Sequence, residues 1–146
     1  MREILFRGKR KDNGEWVEGF YTKGFRHEDA EELEDMIYMF LCDSGKWSFD
    51  YALVIPETVG QYTGLTDKNG TKIFEGDIVE VKGHIPTVNG LYEVIYAEVN
   101  HCYALSRSHG FHHHYFSFSE LNGFHEDCEV IGNIHDNPEL LKEVQG

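Results

Sequence analysis

Polar and apolar positions alternate in short runs along this chain, and glycine-bearing dipeptides separate the runs. Alternation with a period of two marks half-buried strands rather than helices. Two such runs flank Asn13-Gly14 and two more flank Asn69-Gly70. Asn and Gly both tolerate positive φ, which tight primed turns require, so each dipeptide predicts an antiparallel hairpin. A two-residue turn at Asn69-Gly70 sets Asp67 opposite Lys72, Thr66 opposite Ile73 and Leu65 opposite Phe74. The same turn at Asn13-Gly14 sets Lys9 opposite Glu18, Arg10 opposite Val17 and Phe6 opposite Tyr21. It also brings Lys11 to Trp16 at cation–π distance.

Further along, Glu75-Gly76-Asp77 makes a corner and residues 78–81 resume as a strand. Residues 36–41 and 51–55 read as a hairpin whose longer loop is CDSGKWSFD, closed by Pro56. Residues 91–99 are the longest strand candidate. Both of its faces carry apolar groups, which predicts a central or strongly bent strand. Shorter strands follow at 102–105, 115–121 and 129–134. Asn137-Pro138-Glu139 has a capping residue, then Pro at the first helical position, then an acid, and so predicts a short terminal helix. The pattern is mainly β and antiparallel, and strand, turn, strand, corner and strand is the layout of a small bent barrel. An N-terminal hairpin region at 1–55, with an acidic insert at 27–35, precedes a barrel at 56–146.

The segment QYTGLTDKNGTKIFEGDIV (61–79) closely resembles the signature of the YopX family, small proteins encoded by phages and prophages of Gram-positive bacteria. MREILFRGK (1–9) and EVIGNIHDNPELL (129–141) resemble that family's first and last blocks. The resemblance covers 1–21, 56–82 and 128–141 and is weak between them. It implies a mainly β protein whose central and last blocks form an SH3-like barrel. It implies no reaction, cofactor or catalytic residue, since the family has none assigned.

Composition narrows the function classes. Apolar residues at 40% suffice for a core, and aromatics at 14% favour strands. No apolar run approaches the ~20 residues that span a bilayer, and the charged N-terminus is not a secretory signal. Three cysteines without paired spacing suit reduced thiols in a bacterial cytoplasm. The net charge is −13. Residues 1–26 carry seven Lys/Arg against four Asp/Glu, so the remainder holds −16. That balance argues against direct nucleic-acid binding, which needs a basic footprint. Arg7, Lys9, Arg10 and Lys11 form the one basic cluster, read first as a charged strand face.

Candidate chemistry is sparse. Asp77 reads as a carboxylate that binds backbone N–H groups at its corner rather than as a catalytic or metal-binding acid. Six of the nine histidines lie between His101 and His125, near Cys102 and Cys128. His112 and His114 share a strand face, so they are the candidate metal ligands, with His101, His109 or His125 across the sheet. Without a helical HExxH or a paired CxxC, the reading favours no metal and no cofactor. Ser44, Ser106, Ser108, Ser117 and Ser119 lack a base-and-orienter context, and no phosphate loop or nucleophile elbow occurs. The expectation is therefore a non-enzymatic binding or self-associating module with an unknown protein partner, a homo-oligomer, with no catalytic residue and no membrane association. Trp16, Trp47 and the segment FHHHYF supply its contact groups. Two alternatives stand beside it: an acidic nucleic-acid mimic that occupies a basic host protein, and a metal-dependent enzyme using the 101–125 histidines.

Overall fold

The computed structural model describes residues 3–24, 31–109, 112–117 and 127–145, with the backbone alone at 108, 109 and 112–115. The chain divides into two compact units, Met1–Tyr62 and Thr63–Gly146. Both units are antiparallel β.

The first unit holds β1 (Phe6–Lys9), β2 (Trp16–Gly24), β3 (Glu34–Asp43), β4 (Lys46–Leu53) and the start of β5 (Gly60–Thr66). Their order is β4-β3-β2-β1-β5. Pro56–Thr58 forms one turn of 3-10 helix between β4 and β5. The β1–β2 hairpin exists where the Asn13-Gly14 signal put it, but its register differs by two residues. Lys9 faces Trp16 and Arg7 faces Glu18. The cause is a longer loop: Arg10 N–H donates to Glu15 O and Gly14 N–H to Arg10 O. Gly14 alone takes positive φ, at 73°. The Asn13 side chain accepts the Glu15 N–H at 2.9 Å, an Asx turn that draws Asn13 away from the primed conformation. A shift of two preserves side-chain facing, so Phe6 and Tyr21 still meet, with ring centroids 5.6 Å apart.

The β3–β4 hairpin corrects the sequence reading more sharply. The stretch expected to be a long loop is almost all strand. Ser44 and Gly45 form a two-residue turn with φ of 49° and 80°, the primed geometry that matches strand twist. Asp43 therefore faces Lys46, Cys42 faces Trp47 and Phe40 faces Phe49. Met36, Ile37, Ala52 and Val54 are buried and make this unit's core.

The second unit takes the end of β5, then β6 (Lys72–Phe74), β7 (Asp77–Val81), β8 (Gly90–Ala97), β9 (Cys102–His109), β10 (His112–Ser117), β11 (Cys128–Asn133) and α1 (Pro138–Gln145). Five strands run in the order β10-β9-β8-β7-β11. This is an open sheet. The expected SH3-like barrel is not closed among the described residues, because β10 and β11 do not pair. The strand expected at 115–121 is described only to Ser117. The candidate at 91–99 is central, as its two apolar faces predicted, and gives way at Ala97 to a turn.

Ile73, Val79, Val81, Tyr92, Val94, Leu105 and Cys128 form one buried cluster, with Leu65, Phe116 and Val130 against it. Each large apolar member contributes roughly 1.5–3 kcal/mol by leaving water. The helix α1 packs on β8, β9 and β11, and its Val144 is buried.

The β5–β6 reversal also departs from a two-residue turn. Asp67 N–H donates to Thr71 O and Gly70 N–H to Asp67 O. Asp67 thus faces Thr71 rather than Lys72, and only Gly70 carries positive φ, at 80°. The reason is the Asp67 carboxylate. Its Oδ1 accepts the N–H groups of Asn69 at 2.8 Å and Thr71 at 2.9 Å, which stabilises a three-residue loop. Its Oδ2 accepts the Val130 N–H at 2.9 Å and so fastens that loop to β11. Lys68 N–H donates to Cys128 O at 3.0 Å, and Lys68 Nζ pairs with Glu129.

Candidate functional site

Among the described residues, the chemical candidates that the sequence offered have structural roles or lie apart. Asp77 is 1% exposed, and its Oδ2 accepts the Phe74 N–H at 2.7 Å. It binds backbone at the corner, the role the sequence favoured. In the basic cluster, Arg10 pairs with Asp12 at 2.7 Å and Lys11 with Glu34 at 2.6 Å. The guanidinium of Arg7 lies 4.7 Å from the centre of the Trp16 ring and the Lys9 ammonium 5.5 Å. The cation–π partners of Trp16 are therefore Arg7 and Lys9, not Lys11, because the register moved. Trp16 is half-buried beneath them.

Cys128 is fully buried. Burial first, then the charges of Asp67 and Asp77, push its thiol up to about 12, so it is not an activated nucleophile. Cys102 is half-buried and Cys42 exposed, and all three are free thiols. Titration of the native protein with a thiol reagent should show one fast site at Cys42, a slower one at Cys102, and Cys128 only on unfolding. Three equal rates would contradict this placement.

His112 pairs with His109 along the backbone, and His114 with Arg107. The side chains of His109, His112 and His114 lie outside the described residues, as do His125 and Phe111 entirely. His101 is exposed in the β8–β9 turn with φ of 49°. Among the described residues, no group of three His, Cys, Asp or Glu is placed to hold an ion. Ser44 sits in the β3–β4 turn with its Oγ on Asp43, and Ser106 faces Glu93 in β8. Of FHHHYF, the Phe116 side chain is half-buried and meets Tyr92 edge-on, with centroids 5.9 Å apart.

The surface that stands out is one that the sequence reading divided between a strand and a loop. Register on β2, β3 and β4 sets Phe20 opposite Tyr38, Tyr38 opposite Tyr51, Phe40 opposite Phe49 and Cys42 opposite Trp47. Alternate residues share a face, so these aromatics form one outward row. Phe20 is 51% exposed, Phe40 52%, Phe49 69% and Trp47 74%, with Tyr38 at 37% and Tyr51 at 40%. Phe20 and Phe40 meet edge-on at 5.3 Å, and Phe40 and Phe49 at 4.6 Å. Tyr38 and Tyr51 are 5.7 Å apart. Edge-to-face pairs hold the rings in fixed orientation. Leu41, on the reverse face, is also 46% exposed.

The inner face anchors this display. Ile37 and Ala52 are buried there, and the Tyr21 hydroxyl donates to Asp35. Burial, then the Asp35 hydrogen bond and charge, push the Tyr21 hydroxyl up to about 12. Of the contact residues expected from sequence, Trp47 belongs to the exposed row and Trp16 does not. Phe20, Tyr38, Phe40, Phe49 and Tyr51 were missed. Their signal was available: once Ser44-Gly45 is the turn, aromatic residues fall on alternate positions, 38 and 40 before it and 47, 49 and 51 after it.

No helix among the described residues is long and apolar enough to cross a membrane. No curated protein matches the chain. A crystal structure titled protein EF1440 from Enterococcus faecalis is similar to it, with 26% sequence identity, coverage of 97% of this chain and 99% of that one, and a TM-score of 0.57. The likeness thus runs through both units rather than through the central signature alone. A family model described as YopX protein matches residues 5–142, which takes in the Asn-Gly hairpins, the Asp67 latch and the start of α1, and the chain belongs to the YopX family.

Proposed function

We propose that this is a non-enzymatic accessory protein of a phage or prophage, acting in the bacterial cytoplasm by binding through the aromatic row on β2, β3 and β4. One observation carries the reading: rings from three strands lie side by side, oriented by mutual contact, and largely exposed. A contiguous exposed apolar surface of this kind marks an interaction site rather than ordinary scatter of apolar residues. Tyr, Trp and Phe are the residue types that dominate interface energetics. A sheet under the row keeps the rings in place, so little side-chain entropy is lost on contact.

The test is photocrosslinking in the producing cell. A benzoylphenylalanine placed at Phe40 should give a covalent adduct to a second macromolecule. The same group at the exposed Glu98 should give none. Absence of any adduct from Phe40 would overturn the reading.

A further inference from the structure

We propose that two copies of this chain join through the edge of β4 that no described strand covers, antiparallel and centred on Ser48. The inference goes beyond the reading above: it concerns the edge of β4 and leaves the aromatic face uncovered, and the two share only the exposed outer half of the β3–β4 hairpin.

The two-residue turn sets the geometry. Asp43 and Lys46 flank it as a hydrogen-bonded pair, so the backbone groups of even-numbered β4 residues turn toward β3. Those of odd-numbered residues turn outward. The hydrogen bonds at the end of the strand agree: Val54 N–H donates to Asp35 O, whereas Leu53 O accepts from Lys11 and Ile55 N–H donates to Lys9 O. One outward donor is satisfied internally, since Asp50 Oδ1 accepts the Tyr51 N–H at 2.8 Å. The available edge is thus confined to Trp47 and Phe49, on a strand whose residues 46–51 are all exposed.

A two-fold pairing must set outward residues against outward residues, which permits few registers. Centring on Ser48 places Trp47 opposite Phe49 of the partner subunit, and each such pair exchanges both backbone hydrogen bonds. The same register places Lys46 opposite Asp50 of the partner subunit. The five residues KWSFD are therefore self-complementary in both charge and aromatic character when reversed on themselves. The neighbouring registers lose this. Centring on Asp50 sets like charges face to face, centring on Phe49 sets Lys46 against Ala52 of the partner subunit, and centring on Trp47 sets Lys46 against Ser48 of the partner subunit. Edge strands are normally blunted against such pairing. Here the only charges on residues 46–50 sit where pairing satisfies them. Directly opposed residues of antiparallel strands share a face, so the aromatic row runs on from one copy into the next.

The experiment uses the full chain. Sedimentation equilibrium at micromolar concentration should give the mass of two chains. K46D should weaken the dimer about tenfold or more in Kd, because two attractive pairs become repulsive. The double swap K46D/D50K should restore it. In a Cys42→Ser background, Ser48→Cys should oxidise to a covalent dimer, because opposed residues at a non-hydrogen-bonded pair lie ~4.5 Å apart, within disulfide reach. Asp50→Cys should not. A monomeric mass, no rescue by the double swap, or equal oxidation at both positions would overturn the proposal. A monomer that still gives a Phe40 adduct to another macromolecule removes the self-pairing and leaves the binding surface standing. A dimer whose Phe40 gives no adduct does the reverse.

Discussion

Gly19→Ala should abolish folding of the first unit or lower stability by about 3 kcal/mol or more, at the top of what overpacking a strand costs. Gly19 is buried in β2 and its backbone is ordinary; the constraint is space. A Cβ there would lie 2.0 Å from the Tyr38 carbonyl oxygen and 3.0 Å from Ile37 Cγ2. The carbonyl belongs to the β2–β3 ladder, so relief requires the strands to separate. Thermal or denaturant unfolding followed by circular dichroism measures the effect. Gly14→Ala is the control. Gly14 has φ of 73° and open space around it, so only backbone strain applies, about 1 kcal/mol. If both variants lose the same modest amount, the close approach of Gly19 to Tyr38 is wrong.

Asp67→Ala should destabilise the second unit by about 3 kcal/mol, because three N–H groups lose a charged acceptor in a mostly buried place. Asp67→Asn, which keeps one acceptor oxygen, should cost roughly half as much. The pH dependence separates this role from generic packing. Burial alone would raise the Asp67 carboxyl, but the N–H groups of Val130, Thr71 and Asn69 outweigh it and hold the group below its ordinary 3.8. A carboxyl depressed in the folded state stabilises fully above its ordinary unfolded pKa. That contribution is lost as pH falls through the lower folded value. The difference in urea midpoint between the native protein and Asp67→Asn should therefore be widest at neutral pH and shrink below about pH 4. A gap that stays constant down to acid would refute the charged latch.

The hairpins were legible because alternation and Gly dipeptides are local signals, and local signals place reversals well. Turn class was less legible, for a specific reason. Asn-Gly suits a primed turn, but Asn13 and Asp67 each have backbone N–H groups within reach of a side-chain oxygen. That bonding favours a longer loop with Gly alone in the left-handed region. Ser44-Gly45, with no side chain competing in that way, is the primed turn, and it was read as loop. The aromatic row was hidden by the same misreading, since a face exists only once register is set. The tie from Asp67 to β11 had no local signal at all. Its partner is 63 residues away in sequence, and only topology brings them together. The terminal helix was legible because its cap, proline and acid are consecutive.

The separation between Asp67 and Val130 has a kinetic side. A loop of that length must close before the contact can form, and distant pairings make folding slow. While the chain emerges from synthesis, β7 has β8 on one flank, and its other flank waits for a strand not yet made. During that interval one edge of β7 is unpaired, the kind of exposure that makes a folding intermediate prone to association. Arrival of β11 removes it, and the Asp67 carboxylate holds the shutter down.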